Sequence, residues 1–270
     1  MIKTLYISDL DGTLLKKNQR LSSFTVETLN ALIGKGMLFS YATARSHHTA
    51  SLTTAGLTAK IPVIVNNGVF ILENGSWKRL HGSYFSKEEA AGILHLLQHH
   101  GVQPLVYTYL GEEQKYSYDP NTLGRGTRNF IVNHPEDPRK RPVSPMRLLD
   151  GDIFYFTCID DAEKLFCCYE QLKDRYHCVC QKDMYDGEQW LEIMPPNATK
   201  ASAALKLKEM LGCDRIVAFG DGVNDLPLFS VADEAYAMEN ADEIVKQAAT
   251  AVIGSNEDDG VAQWLLKNWK

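Results

Sequence analysis

The sequence predicts an α/β protein with a parallel-sheet core into which a second, α+β module is inserted. Three observations carry that expectation. Short apolar runs alternate with segments of helical periodicity from residue 4 to residue 66; the alternation stops near Gly68, where a hairpin pattern begins; and it resumes after residue 198. Strands and helices in alternation form parallel sheets joined by right-handed crossovers. The expected boundaries are 1–81 with 190–270 for the core and 82–189 for the inserted cap.

Residues 4 to 8 form an apolar run ending at Asp9, and the polar, turn-rich stretch to Asn18 reads as a loop. Ser22 or Ser23 caps a helix to about Lys35, because Val26, Leu29, Leu32 and Ile33 recur at helical spacing and Gly34 with Gly36 stops it. A strand over 37–42 delivers Thr43, and a further helix and a strand over 62–66 extend the same parallel sheet. Segments 70–73 and 77–80 flank Asn74-Gly75-Ser76 and read as a hairpin. The insert reads as helix 87–100, strands 104–109 and 115–118, helix 122–133, strand 152–159, helix 162–173 and strand 177–181. A strand over 190–194, the turn Pro195-Pro196-Asn197 and a helix over 198–211, with Lys200 near its start, return the chain to the core. Segment 215–219 is a continuous apolar strand running into Gly220-Asp221-Gly222-Val223-Asn224-Asp225, and 234–238 and 250–253 add two more. The core is therefore expected to be Rossmann-like, a doubly wound sheet that binds ligands beyond the carboxyl ends of its strands.

With 44% hydrophobic residues the chain can bury a core, and its formal charge of −6 argues against a surface that coats polyanions, so no nucleic-acid partner is expected. Arg139-Lys140-Arg141 reads as a solvated loop. The apolar run before Asp9 is too short for a signal peptide and no later run approaches a membrane span; a cytoplasmic location without a membrane partner is expected. Nothing resembles an assembly motif, so no obligate protein partner is expected. Cys158, Cys167, Cys168, Cys178 and Cys180 crowd one region without the paired spacing of a zinc site and read as buried free thiols.

Polar groups stand at the ends of the expected parallel strands: Asp9 with Asp11, Thr43, Lys200 at a helix start, and Asp221 with Asp225. Singly, each has a bland explanation as a cap, a turn residue or a solvated lysine. Jointly, four carboxylates on one sheet edge repel one another unless a cation lies between them. Oxygen ligands shared with a phosphate suit Mg²⁺ rather than zinc.

Asp9-Leu10-Asp11-Gly12-Thr13-Leu14 resembles the first motif of the haloacid dehalogenase superfamily of phosphatases. Thr43 in Tyr41-Ala42-Thr43-Ala44-Arg45 resembles the second, Lys200 the third and Gly220-Asp221-Gly222-Val223-Asn224-Asp225 the fourth. Motif order and the long insertion between Thr43 and Lys200 are similar to the Cof-type branch, which carries a C2B cap there. The resemblance implies an Mg²⁺-dependent phosphatase of small phosphorylated metabolites, working through an aspartyl-phosphate. It implies Asp9 as nucleophile, Asp11 as general acid and base, and Thr43 and Lys200 as phosphoryl-oxygen ligands. Gly12 and Thr13 would bring backbone to the phosphate, and Asp9, Asp11, Asp221 and Asp225 would hold the metal, Asp11 through its carbonyl. Asn224 would orient Lys200 or the phosphate, and Asn67 would reach the substrate or serve only its turn. Arg45 leaves two readings open, a phosphate contact or a pair with a nearby carboxylate. Ala44, Ala201 and Glu239 stand where the branch usually has glycine, which concerns local backbone geometry.

The resemblance also implies that the cap excludes water and sets specificity, with Tyr107, Tyr109, Tyr116, Tyr118, Arg125, Arg128 and Glu188 as candidates. Alternating tyrosines on strands more often pack against helices. A hexose phosphate leads the expected substrates, ahead of phosphorylated cofactors such as pyridoxal phosphate or flavin mononucleotide. A sugar phosphomutase on the same scaffold and a non-catalytic phosphometabolite-binding regulator are the alternatives.

Overall fold

Alternating apolar side chains draw Thr4–Ser8 into the first strand, β1, whose residues Leu5 and Ile7 are fully buried. Residues 2–58, 60–182 and 187–269 are described by the structure, a computed structural model. Helix α1 (Ser23–Gly34) starts where the Ser22 hydroxyl accepts the Thr25 amide, and buries Leu29, Leu32 and Ile33. β2 (Leu38–Tyr41), α2 (His47–Thr53) and β3 (Val63–Val65) follow. Then come the antiparallel partners β4 (Phe70–Leu72) and β5 (Arg79–Gly82).

The next segment runs α3 (Lys87–His99), β6 (Leu105–Leu110), β7 (Glu113–Tyr118), α4 (Arg125–Asn133), β8 (Lys140–Pro142), β9 (Asp152–Ile159), α5 (Ala162–Leu172), β10 (His177–Lys182) and β11 (Gln189–Met194). The chain returns through α6 (Lys200–Leu211), β12 (Arg215–Gly220), α7 (Leu226–Val231), β13 (Glu234–Met238), α8 (Glu243–Ala248), β14 (Ala251–Ile253) and α9 (Gly260–Asn268).

Two compact units result, Met1–Gly82 with Ala198–Lys270, and Ser83–Asn197. The first holds a five-stranded sheet in the order β14-β13-β12-β1-β2, with every described pairing parallel. The order turns outward in both directions from the β1/β12 pair, which is the switch point at which such sheets bind ligands. The second unit carries a mixed six-stranded sheet, β10-β11-β9-β6-β7-β8. Its apolar core, with Val106, Phe156, Leu191 and Ile193 from the strands and Ile93, Leu97 and Leu165 from α3 and α5, is separate from that of the first.

Four expectations need correction. β3 does not extend the parallel sheet as a ladder: a single bridge, Ala42 to Ile64, links it to the end of β2, and it otherwise pairs antiparallel with β4. The strand over 190–194, expected in the core, lies between β9 and β10 in the second unit's sheet, so that unit ends at Asn197. Arg139-Lys140-Arg141 is no solvated loop. β8 pairs with β7, Arg139 is 7% exposed and bound to Asp137, and Arg141 binds Asp150. Among the described residues, no helix is long and apolar enough to cross a membrane. All six cysteines are free; Cys158, Cys168 and Cys213 are buried, Cys178 and Cys180 half-buried, and Cys167, expected to be buried, is exposed on α5.

Candidate active site

Side-by-side β1 and β12 carry the acidic groups to one edge. The Asp9 amide donates to Phe219 O at 2.9 Å, which joins the end of one strand to the end of the other. The loop after β12 turns back at Val223–Asp225, where Asp225 Oδ2 accepts the amides of Asp221 and Gly222, each at 3.1 Å. Asp225 is thereby aimed inward. Lys200 enters from the first turn of α6, whose N-terminus is capped by Thr199. Its ammonium donates to Asp9 Oδ1 at 2.6 Å and to Asp225 Oδ1 at 2.7 Å, with 1% of the side chain exposed. One carboxylate oxygen each from Asp9, Asp221 and Asp225 lies within 4.8 Å of the others.

Two glycines make these approaches possible. Gly12 has φ +74°, and a Cβ there would lie 2.1 Å from Asp221 Oδ2, so only glycine lets the loop after β1 pass the loop after β12. Thr13 completes that crossing by donating to Asp221 Oδ1 at 2.6 Å. Gly68, at φ +97°, brings the Asn66–Gly68 turn onto the start of α6; a Cβ would lie 2.1 Å from Thr199 O.

Thr43 follows β2 and is fully buried, its hydroxyl accepting the Arg45 amide at 3.1 Å. The Asn67 amide donates to Thr43 O at 2.9 Å from a left-handed backbone position, and the Asn224 amide group donates to Asn67 Oδ1 at 3.4 Å. Asn224 thus bonds the Asn67 turn, not Lys200. Ala44 is half-buried between Thr43 and Arg45. Arg45 is paired with a carboxylate: Nε donates to Asp11 Oδ2 at 2.7 Å and Nη2 to Asp11 Oδ1 at 2.6 Å. The Asp11 carboxylate is therefore outside the cluster of three, against the expectation of four converging side chains; its carbonyl, the atom expected to face the metal, is a separate matter. Glu239 is exposed in a turn.

The electrostatics follow from burial. Desolvation drives the Asp9 pKa well above the usual carboxylate range; Lys200 opposes the shift and Asp225, Asp221 and Asp11 add to it. Asp221 is pushed up to about 7 by desolvation and then by Asp225, against the Thr13 hydrogen bond. Burial alone would lower the Lys200 pKa, but Asp225 and Asp9 outweigh it and hold the ammonium charged. With all three carboxylates ionised, the single ammonium leaves two negative charges uncompensated. An oxygen-only donor set with that excess fits a hard divalent cation.

Some participants left no signal in the sequence. Gln19 accepts from Arg45 Nη2 at 2.9 Å, and Asn240 donates to Gly12 O at 2.7 Å. Asn240 Oδ1 accepts the Asn256 amide, and Asn256 in turn donates to Leu15 O at 2.8 Å.

Fold and site together define an α/β enzyme scaffold with an inserted domain and an acidic, cation-seeking edge at the sheet's switch point. The haloacid dehalogenase-like hydrolase family profile matches residues 6–265, and the chain belongs to that family. It is 28% identical to a 5-amino-6-(5-phospho-D-ribitylamino)uracil phosphatase of Bacillus subtilis, over 95% of each chain. It is 25% identical to a pyridoxal phosphate phosphatase of Escherichia coli, over 96% of each. A haloacid dehalogenase-like hydrolase structure from Bacteroides thetaiotaomicron superposes with a TM-score of 0.80 at 23% identity, covering 99% of both chains.

Proposed function

We propose that this protein is an Mg²⁺-dependent phosphatase of small phosphate monoesters that works through an aspartyl-phosphate on Asp9. The observation that carries the reading is the buried Lys200 ammonium bridging Asp9 and Asp225, with Asp221 alongside. In this reading Asp9 attacks phosphorus while the leaving oxygen takes a proton from Asp11. A water molecule then attacks the aspartyl-phosphate, Asp11 takes its proton, and inorganic phosphate leaves. Lys200 and the Thr43 hydroxyl hold the phosphoryl oxygens as charge develops, and Gly12 and Thr13 bring backbone amides to them. Asp9, Asp221 and Asp225, with the Asp11 carbonyl, would hold Mg²⁺. When bound it would neutralise phosphoryl charge and keep Asp9 ionised. Arg45 is bound to Asp11, which supports a role at the acid and base group. Asn67 and Asn224 support the turn beside Thr43.

For the substrate, the two named relatives favour a phosphorylated cofactor or its precursor over a hexose phosphate. The experiment is a steady-state panel of both classes, followed by release of inorganic phosphate with and without EDTA. Turnover that survives EDTA would remove the metal from the reading, and preference for hexose phosphates would reverse the choice of substrate.

A further inference from the structure

Gln19 sits in the turn Lys16–Arg20, where its amide donates to Lys16 O at 2.8 Å. Its φ is +59°, a left-handed conformation in which glycine or asparagine is the ordinary occupant and a glutamine is disfavoured. What the side chain does there is accept from Arg45 Nη2, the same nitrogen that donates to Asp11 Oδ1. Both Asp11 oxygens are thus held by the Arg45 fork, and the fork is held from behind by Gln19. A carboxylate gripped at both oxygens by N–H donors has its orientation set by the plane of the guanidinium.

We propose that Gln19, acting through Arg45, is a positioning residue that orients the Asp11 carboxylate as the base for the second half-reaction. That half-reaction is water attack on the aspartyl-phosphate: the new P–O bond forms, the bond to Asp9 breaks, and the water proton passes to Asp11. The proposal rests on the phosphatase reading above. A backbone that tolerates strain in order to place one acceptor is the pattern expected where geometry serves function.

The test uses the full chain with Mg²⁺ and p-nitrophenyl phosphate, whose good leaving group needs no proton and so isolates the second step. Gln19→Gly relaxes the backbone while deleting the acceptor. Its melting temperature should not fall, kcat should drop by about threefold to tenfold, and KM should fall with it. The acid-quenched phosphoenzyme fraction should rise by a similar factor. Gln19→Glu, which keeps an oxygen toward Arg45, should return both readouts toward wild type. Asp11→Asn sets the upper limit of phosphoenzyme. A Gln19→Gly variant with wild-type kcat and phosphoenzyme level overturns the proposal, as does one whose rate falls without phosphoenzyme accumulating. Failure of Asp11→Asn to form any phosphoenzyme would defeat the covalent reading itself, and the proposal with it.

Discussion

Each unit of the molecule buries an ion pair, and the two differ in how their charges are brought together. In Ser83–Asn197, Arg139 and Asp137 are two residues apart and meet as a fork, Nε to Oδ1 at 2.9 Å and Nη2 to Oδ2 at 2.6 Å, with the guanidinium over Tyr116. In the other unit Lys200 meets Asp9 from 191 residues away, and also Asp225, while Asp221 crowds in without a second ammonium in the cluster of three acids. A tight turn is enough to build the first pair. The second requires three separate segments to meet at one point, two of them carrying like charges. Burial of charge by itself does not mark a functional site; an excess of one sign, assembled across the fold, calls for a further cation and does.

The sharpest way to break this comparison is at Asp9. Asp9→Asn should reduce turnover by more than about 10³-fold, with circular dichroism unchanged. Its metal-free melting temperature should not fall, because one repelling carboxylate has gone. Next comes Lys200→Met, which leaves three buried acids with no ammonium among them. It should cost about 3–5 kcal/mol in metal-free urea unfolding, part of which Mg²⁺ restores. Arg139→Met should also destabilise, but to the same extent with and without Mg²⁺. Equal responses of the two variants to the metal would erase the distinction between the pairs.

The acidic cluster should also make stability depend on pH. Asp221, near 3.8 when unfolded, is pushed up to about 7 in the fold, so the folded state binds its proton more tightly. Metal-free stability should therefore fall as pH rises from about 4 to about 7 and then level. Mg²⁺ competes with that proton, so its affinity, read by calorimetry, should rise by roughly up to tenfold per pH unit over the same window. A flat profile would mean that Asp221 is not part of a crowded cluster. The smallest expected effect is that of Gly68→Ala. The left-handed backbone and the approach to Thr199 O predict a loss of about 1–3 kcal/mol, with kcat falling as the start of α6 shifts.

Much of the site could be read from the chain because its polar groups end strands. The run 4–8 points to Asp9, 37–42 to Thr43 and 215–219 to the Asp221–Asp225 loop, and each lies where the parallel-sheet expectation put it. The Arg45 partner could not be read, since either a phosphate or a carboxylate satisfies a guanidinium. Gln19 gave no sign at all: a lone glutamine in a polar turn is ordinary until its backbone angle and its neighbour are known.

By itself, the sequence determined most of the strands and helices, though not β8 or α9, where α1 is capped, and which residue types a cation and a phosphate would need. Those depend on periodicity and on contacts a few residues apart. Only the tertiary structure decided that Gln189–Met194 joins the second sheet, that β3 touches β2 at a single bridge, that Arg139 is buried, and that Asp11 turns to Arg45 while Asp9 meets Lys200. A strand's hydrogen-bonding edges are alike for many partners, and a charged side chain takes whichever counter-charge the fold brings nearest, so these choices are made by neighbours far away along the chain.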